Sequence, residues 1–576
     1  MAAADALPLL APAEVRAALL ARREIALIDV REEDPFAQAH PLFAVQLSPS
    51  RIELDAPWRL PRRAVLMAVY DDGEGLAEPA ARRLIALGYS GVHLLAGGLQ
   101  GWRAHGGPGG LSGDGAGQAG GPGELFRDVN VPSKAFGELV EHERHTPSLP
   151  AEAVKALLDS GADVVVLDAR RFDEYQTMNI PGGTSVPGAE LVLRVRELAP
   201  DPRTQVIVNG AGRTRSLIGA QSLINAGIPN PVAALRNGTI GWLLAGLELE
   251  HGAQRRFLPA SEANRRAAQE SAQALADRAG ALRLTQAHLA AWAADAHRTL
   301  YRWDVRTPEE YAAGHLPGFG SAPGGQLVQE TDVFAAVRGA RIVLADGGAA
   351  HDGVRAAMTA HWLAQLGWQV GWLTDVDDTQ LTETGPWQPP HAWHDAPPDA
   401  PPDAPSHAPP HAPPHAPLSA VVLISPADAA LHLQQPGTLL LDLATSAQHV
   451  KGHIPGARWL LRTHIGLALQ QLPAAERVLL TCGNSALARW AAADLALLTS
   501  LPVAVIEGGT AAWAAAGRPL EPGEAGLLSP RIDRYRRPYE GTDAPHAAMQ
   551  AYLDWEFGLV AQLARDGTHG FQVLAG

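Results

Sequence analysis

One stretch of the chain, RVLLTCGNSALARWAAADLALL at residues 477–498, combines the signals of a strand, a loop and a helix. Its first five residues are a short apolar run typical of a buried strand. Small residues follow at 482–486, and the Ala- and Leu-rich run after them predicts a helix. A strand that turns directly into a helix is the first half of a β-α-β unit, which predicts an α/β fold with a parallel sheet.

The same pattern occurs four times. The other three copies are VLMAVYDDGEG (65–75), VIVNGAGRTRS (206–216) and IVLADGGAAHDG (342–353), and each leads into an Ala-rich helical stretch. Each copy follows an apolar strand that ends in an aspartate, 42, 42, 42 and 40 positions before the first loop residue. These aspartates are Asp29, Asp168, Asp304 and Asp442. Recurrence at a fixed spacing indicates tandem repeats, and 576 residues are also enough for about four domains.

The repeats are separated by segments of biased composition. Residues 106–123 are nearly pure glycine and small residues, which predicts a flexible tether. Residues 389–417 are a Pro-rich repeat with five histidines, which predicts an extended spacer rather than a metal site, because nothing rigid would preorganise the ligands. The predicted division is domain 1 at 7–106, the Gly-rich linker at 106–123, domain 2 at 127–252, a helical connector at 253–280, domain 3 at 282–386, the Pro/His-rich linker at 389–417, domain 4 at 419–520 and a C-terminal helical tail at 521–576.

Composition excludes several classes of function. The net charge of −15 argues against nucleic acid or an anionic membrane as a partner. No window of 18 uncharged apolar residues occurs and no basic leader precedes the first apolar run, so we expect a soluble, cytoplasmic protein. The single cysteine, Cys482, excludes a disulfide framework and a multi-cysteine metal site. It leaves a buried inert thiol or a nucleophile as interpretations.

The first residue after the second strand of each repeat lies where parallel sheets bind ligands, at the carboxyl end of a strand. These four positions hold Asp71, Gly210, Asp346 and Cys482. A Gly-rich turn and a tryptophan follow in three repeats, 31, 32 and 31 residues after the loop position, as GGLQGW, RNGTIGW and GGTAAW. The third repeat reads WLTDVDDTQL instead.

The order Asp-x-Arg, then GHLPG (314–318), GHIPG (452–456) or NIPGG (179–183), then the loop and the GG-x-x-x-W turn, resembles the rhodanese domain. The resemblance implies a small α/β domain with a five-stranded parallel sheet in each repeat. It also implies a sulfurtransferase reaction in which the loop cysteine accepts the sulfur, with no metal or organic cofactor. Two-domain members of the family pair a catalytic with an inactive domain, which suggests pairs of domains 1 with 2 and 3 with 4.

The resemblance makes Cys482 the predicted nucleophile. The following loop residues are expected to bind the anionic substrate, together with an arginine of the helix: Gly483, Asn484, Ser485, Ala486, Leu487 and Arg489. Backbone N–H groups of such a loop and the N-terminus of the next helix favour the thiolate, so we expect a lowered thiol pKa. This loop contains no cation, which leaves amides, Arg489, Arg458 or Arg462 to meet the substrate charge. The Arg of the Asp-x-Arg motif is also replaced here, by Ala444.

The other three loops cannot form a persulfide. Asp71 and Asp346 would put a carboxylate where the anionic sulfur sits, which predicts structural or binding modules. The loop at Gly210 keeps a basic character, and Arg213, Arg215 and Ser216 form a candidate anion site or, alternatively, a relict loop with solvated arginines. If the loop is retained, Gly210→Cys is expected to add activity.

The C-terminal tail combines a basic stretch with an apolar helical stripe that predicts packing. Arg534, Arg536 and Arg537 are expected to pair with acidic surface rather than guide a donor. Together these observations predict transfer of sulfane sulfur from thiosulfate or a persulfide, through a Cys482 persulfide, to cyanide, a thiol or a sulfur-accepting protein. The alternatives are a non-catalytic scaffold, a mercaptopyruvate sulfurtransferase, or a phosphatase, which would need Arg where Ala488 stands.

Overall fold

The computed structural model describes residues 6–107, 121–347, 353–390, 418–466, 469, 475–540 and 544–575. Most of the Gly-rich linker and of the Pro/His-rich linker lies outside the described residues, so the predictions for both linkers stay predictions.

Four parallel sheets of five strands each form the framework. Each sheet has the same spatial order, in which the first strand of the repeat lies at one edge and the strand that precedes the loop lies in the centre. The strands are β1 Leu9–Leu10, β2 Ala26–Asp29, β3 Ala44–Gln46, β4 Met67–Tyr70, β5 Val92–Leu95, β6 Ser148–Leu149, β7 Val164–Asp168, β8 Thr184–Ser185, β9 Gln205–Asn209, β10 Val232–Leu235, β11 Leu282–Leu284, β12 Leu300–Asp304, β13 Gly320–Ser321, β14 Arg341–Ala345, β15 Gln369–Leu373, β16 Val422–Ile424, β17 Thr438–Asp442, β18 Arg458–Trp459, β19 Arg477–Thr481 and β20 Val503–Ile506.

Helices connect the strands and cover both faces of each sheet, which is why the central strands read as continuous apolar runs rather than alternating ones. The helices are α1 Pro12–Leu20, α2 Glu33–Gln38, α3 Ile52–Arg59, α4 Ala77–Ala86, α5 Gly98–His105, α6 Val131–Arg144, α7 Ala151–Asp159, α8 Phe172–Thr177, α9 Leu191–Leu198, α10 Thr214–Asn225, α11 Gly238–Leu244, α12 Glu262–Arg278, α13 Gln286–Ala293, α14 Pro308–Ala313, α15 Gly324–Gln329, α16 Thr331–Phe334, α17 Val354–Gln365, α18 Pro426–Leu433, α19 Ser446–Lys451, α20 Ala486–Leu498, α21 Gly509–Ala515, α22 His546–Phe557 and α23 Leu559–Asp566.

The predicted fold class is confirmed: four tandem α/β domains precede a helical tail. The third domain differs where its sequence differs. After β15 it has a 3₁₀ turn at Asp378–Gln380, where the other domains carry the tryptophan-containing helices α5, α11 and α21. Loss of the Gly-rich turn therefore removed a helix and left the sheet unchanged.

The domains do not pair as expected. Domain 1 faces domain 4 through a buried ion pair between Glu53 and Arg462, and domain 2 faces domain 3 through Glu190 Oε1 and Arg355 Nη1, 2.8 Å apart. The connector helix α12 packs against α9 and α17 and so holds domains 2 and 3 together. Domain 1 also contacts domain 2, where Asp128 N–H donates to the Ala37 carbonyl at 2.6 Å, and domain 3, where Ile25 N–H donates to the Arg338 carbonyl at 3.1 Å. The domains therefore do not form the exclusive pairs 1–2 and 3–4.

The tail packs mainly against domain 2. Met549 and Leu553 of α22 share an apolar cluster with Ile240 of α11. Phe557, assigned to the apolar stripe from the sequence, is 55% exposed, and its ring stacks on Arg213 with 4.1 Å between guanidinium carbon and ring centroid. In the basic stretch, Arg537 pairs with Glu540 and Glu33, which supports the expectation that this stretch neutralises acidic surface.

Within the described residues, no helix is both long and apolar enough to span a membrane. The same part of the chain brings no three His, Cys, Asp or Glu side chains together in a way that would hold a metal ion.

Candidate active site

The thiol of Cys482 lies directly after strand β19, at the carboxyl edge of the fourth sheet. It is 3% exposed and belongs to an apolar cluster with Leu487 and Trp490. A cysteine that packs only as a small apolar residue would look similar, so the polar contacts of the sulfur distinguish the two interpretations.

The backbone N–H groups of Ala488, Asn484 and Leu487 lie close enough to the Cys482 sulfur to lower its pKa. We call these three donors, at positions +2, +5 and +6, the amide cradle. Ser485 makes the loop turn with a left-handed φ of 69°, a conformation that is costly for a residue with a side chain. The N–H dipoles of the cradle therefore direct their positive ends towards the sulfur.

The thiol pKa does not follow the simple expectation. Burial raises the pKa of Cys482 above its ordinary value, and the three amides lower it by less. The prediction of a net lowering from loop geometry is therefore not met, because the loop is drier than the sequence indicates. The thiolate that does form is held by hydrogen bonds instead of water.

The Gly-Gly turn after β20 supports the loop from behind. Thr510 N–H donates to the Cys482 carbonyl at 2.9 Å, and Ala511 N–H to that of Gly483 at 3.1 Å. Gly509 has φ of 60°, and a Cβ there would lie 2.1 Å from the Cys482 carbonyl oxygen. The GGTAAW motif was visible in the sequence, but its role as the support of the loop was not.

Histidine replaces the missing arginine of the Asp-x-Arg motif. In domain 1, Arg31 Nε donates to Asp29 at 2.9 Å. In domain 4, Nδ1 of the fully buried His449 lies 2.7 Å from Asp442 Oδ2. Domain 4 lacks the arginine of the motif, but Asp442 at the end of β17 still has a partner, which comes from α19.

The structure divides the predicted substrate-binding residues. Gly483 and Ser485 are half-buried, Asn484 is exposed, and Arg489 is half-buried in the first turn of α20. Ala486 and Leu487 are buried, and of these residues Asn484 and Leu487 supply cradle amides. Of the other arginines considered, Arg458 is exposed on β18. Arg462 is buried and committed to Glu53 and Asp494, so it is not a substrate-binding group.

Domain 1 has the same cradle with a different occupant. The Asp71 carboxylate accepts N–H donors from Gly73 at 3.1 Å, Leu76 at 2.5 Å and Ala77 at 3.0 Å, again at positions +2, +5 and +6. In domain 3, Asp346 accepts the N–H groups of Arg355 and Ala356, at 2.8 and 3.2 Å. A carboxylate thus occupies the anion position in both domains, as the sequence indicated.

The candidate anion site in domain 2 is already neutralised. Arg213 is 3% exposed and pairs with Glu138 and Glu141, and Arg215 pairs with Glu174 at 2.7 Å. Both interpretations of the domain 2 loop, an anion site and a relict loop, assumed that Arg213 and Arg215 are open to solvent. The structure corrects this, because both arginines are paired with carboxylates.

Ser216 turns inward, and the tail lies over the domain 2 loop. Ser216 Oγ donates to the Arg213 carbonyl at 2.8 Å. A Cβ at Gly212 would lie 3.2 Å from the Tyr552 ring and 3.3 Å from Glu556 Oε2, so α22 fills the space in front of the loop.

Comparison with known proteins places this geometry in a family. The model of the Rhodanese-like domain matches residues 11–105, 150–245 and 425–516. A crystal structure of a thiosulfate sulfurtransferase from Pseudomonas aeruginosa is 60% identical, with a TM-score of 0.89, over 99% of this chain and 100% of that one. The chain belongs to the rhodanese family.

Two curated proteins match a single domain each. An HTH-type transcriptional regulator of Mycobacterium tuberculosis is 34% identical over 91 residues, 16% of this chain. A putative sulfur carrier protein of Bacillus subtilis is 30% identical over 102 residues, 17% of this chain. The matched segments span 39% and 54% of those two proteins.

Proposed function

We propose that this protein is a thiosulfate sulfurtransferase in which Cys482 carries the sulfur as a persulfide. The amide cradle around the only cysteine of the chain supports this most directly, because a cradle of this kind stabilises negative charge on sulfur in both the thiolate and the persulfide. The 60% identical Pseudomonas aeruginosa enzyme supports thiosulfate as the donor. A reduced thiol suits a reducing compartment such as the cytoplasm.

In the first half-reaction the Cys482 thiolate attacks the outer sulfur of thiosulfate. A new S–S bond forms, the original S–S bond breaks, and sulfite leaves with the electron pair of the broken bond. The charge of −3 on thiolate plus thiosulfate equals that on persulfide plus sulfite. The proton of the resting thiol is lost to solvent before attack, and burial makes this loss unfavourable at neutral pH.

In the second half-reaction a nucleophile such as cyanide or a thiol attacks the outer sulfur of the persulfide. With cyanide, thiocyanate leaves and the Cys482 thiolate is regenerated, so the cycle is ping-pong. The cradle holds negative charge throughout, and neither step requires a metal or an organic cofactor. Domains 1 to 3 then support or complete a site whose covalent chemistry belongs to domain 4.

Thiosulfate-dependent thiocyanate formation by wild type and by Cys482→Ser tests the proposal. We expect turnover in the wild type only, and a gain of one sulfur atom on the intact wild-type chain after incubation with thiosulfate alone. Ala514→Ser, at an exposed position of α21, introduces the same side chain away from the loop and serves as the matched control. Equal rates in wild type and Cys482→Ser would leave the protein as a scaffold.

A further inference from the structure

The Cys482 loop itself has no cationic side chain for an anionic sulfur donor, and the next one along the chain is Arg489, half-buried in the first turn of α20. No Lys or Arg occurs among residues 483–488, and Arg462, the buried arginine of the preceding 3₁₀ turn, is taken by Glu53 and Asp494. Amides alone can hold the sulfur, but a dianion such as thiosulfate also carries charge on its sulfonate oxygens.

Domain 1 contacts domain 4 at this loop. Ser50 Oγ lies 3.5 Å from Thr463 Oγ1 across the interface, and Leu54 packs in the apolar cluster that contains Cys482. Arg51 lies in the chain between these two contacts, so the first domain brings a cation to its interface with the fourth.

The equivalent residue of domain 2, Glu190, also reaches across an interface between domains. Leu47 N–H donates to the Asp29 carbonyl, and Val186 N–H to the Asp168 carbonyl, both at 2.8 Å, which aligns the two segments. Four residues further on stand Arg51 and Glu190. Each pair of domains therefore brings this position to its interface.

Glu190 shows where that position reaches. Its Oε1 lies 2.8 Å from Nη1 of Arg355, and the same guanidinium contacts Asp346, the residue at the cysteine position of domain 3. The position of Arg51 in domain 1 and of Glu190 in domain 2 thus faces the partner domain, domain 4 in the first case and domain 3 in the second. The residue at this position is a glutamate in domain 2, where it meets Arg355, and an arginine in domain 1, which faces the domain that holds the thiol.

Arg51 is accessible and remains charged. Its side chain is 45% exposed, and its Nε and Nη2 donate to Asp55 at 3.0 and 3.2 Å. The negative charges of Asp55 and, more weakly, of Cys482 raise the pKa of Arg51.

We propose that Arg51 of domain 1 is the donor-binding residue of the Cys482 site, holding the sulfonate end of an anionic donor while the outer sulfur meets the thiolate. This assignment rests on the proposed function. It makes the catalytic site a composite of the first and the fourth domain, and it gives the pairing of domains 1 and 4 a direct role in substrate recognition.

Sulfite release measured against thiosulfate concentration tests the assignment with Arg51→Gln, Arg51→Lys and, as control, Arg82→Gln, a half-buried arginine of the same domain paired with Glu78. For Arg51→Gln we expect KM to rise about 10- to 100-fold, the range for loss of a charge-assisted contact, with kcat nearly unchanged. Arg51→Lys should recover part of the loss, and the control should match wild type. Added salt should raise KM in the wild type and have little effect in Arg51→Gln.

An unchanged KM in Arg51→Gln would overturn the assignment, and so would a loss confined to kcat or a salt response equal to that of wild type. A fall in thermal stability with no KM change would also overturn it, since Arg51 would then serve only the interface. If the wild type itself released no sulfite and Cys482→Ser behaved identically, the proposed function would fail instead.

Discussion

The loops of domains 1 and 4 have the same architecture and opposite chemistry. Both present backbone N–H groups at positions +2, +5 and +6, to the Asp71 carboxylate in one domain and to the Cys482 sulfur in the other. The cradle is therefore a general receptor for negative charge. A carboxylate, which cannot accept sulfur, closes the site, whereas a thiol that can act as a nucleophile keeps it open.

Replacing Cys482 in the cradle should have the largest effect on activity. Cys482→Asp should place a carboxylate in the cradle of domain 4, as in domain 1, and lower thiocyanate formation by about three orders of magnitude or more while the fold is kept. Thermal unfolding and turnover together check this. Asp71→Asn, the matched change in domain 1, should leave turnover intact; activity retained by Cys482→Asp would refute the comparison.

Gly509→Ala tests whether the Gly-Gly turn sets the geometry of the cradle. The new Cβ would meet the Cys482 carbonyl oxygen at 2.1 Å and the Ser485 nitrogen at 2.7 Å. We expect a loss of about 2–4 kcal/mol in the free energy of unfolding and a lower rate of sulfite release. Gly517→Ala is the control, because its left-handed φ of 72° faces open space and should cost about 1 kcal/mol. Equal costs for the two variants would refute this role.

The pH dependence distinguishes a thiol from a carboxylate in the cradle. Burial raises the pKa of Cys482, so the thiol is protonated at neutral pH and the thiolate fraction grows as pH rises. Single-turnover sulfite release should increase by about tenfold per pH unit across the neutral range, the slope for loss of one proton. A rate independent of pH there would mean that the thiolate already forms at neutral pH.

The smallest change in activity is expected when a cysteine is introduced into the loop of domain 2. Gly210→Cys in a Cys482→Ser background should form no thiocyanate, because a Cβ at Gly210 would lie 2.8 Å from the Ser216 nitrogen and α22 covers the loop. This reverses the expectation from the sequence, where the Gly- and Arg-rich loop looked intact. Measurable turnover would show that the loop opens and that the tail moves away.

Local patterns in the sequence were sufficient for the fold and for the proposed nucleophile. Strand, loop and helix follow one another within about 20 residues, and repetition at constant spacing identified both the four domains and the position of Cys482 in its loop. The expectation that Asp71 takes the place of the sulfur also needed only the alignment of the repeats.

Contacts between distant segments could not be predicted in this way. Glu53 and Arg462 are 409 residues apart, and nothing in either local sequence marks them as partners. The same holds for the pairing of domains and for the carboxylates that neutralise Arg213. His449 is intermediate, since it stands just before the GHIPG motif, but its role required knowing that Asp442 had lost its arginine.

The tail has a consequence for how the chain is synthesised. Nη1 of Arg16, in the first helix, donates at 2.7 Å to the carbonyl of Asp566, 550 residues later, and Asp34 N–H donates at 3.0 Å to the Ile532 carbonyl. During translation, part of the surface of the first domain therefore stays uncovered until helix α23 leaves the ribosome. This surface is exposed while the 550 residues from Arg16 to Asp566 are synthesised, which favours chaperone protection of the first domain during that time.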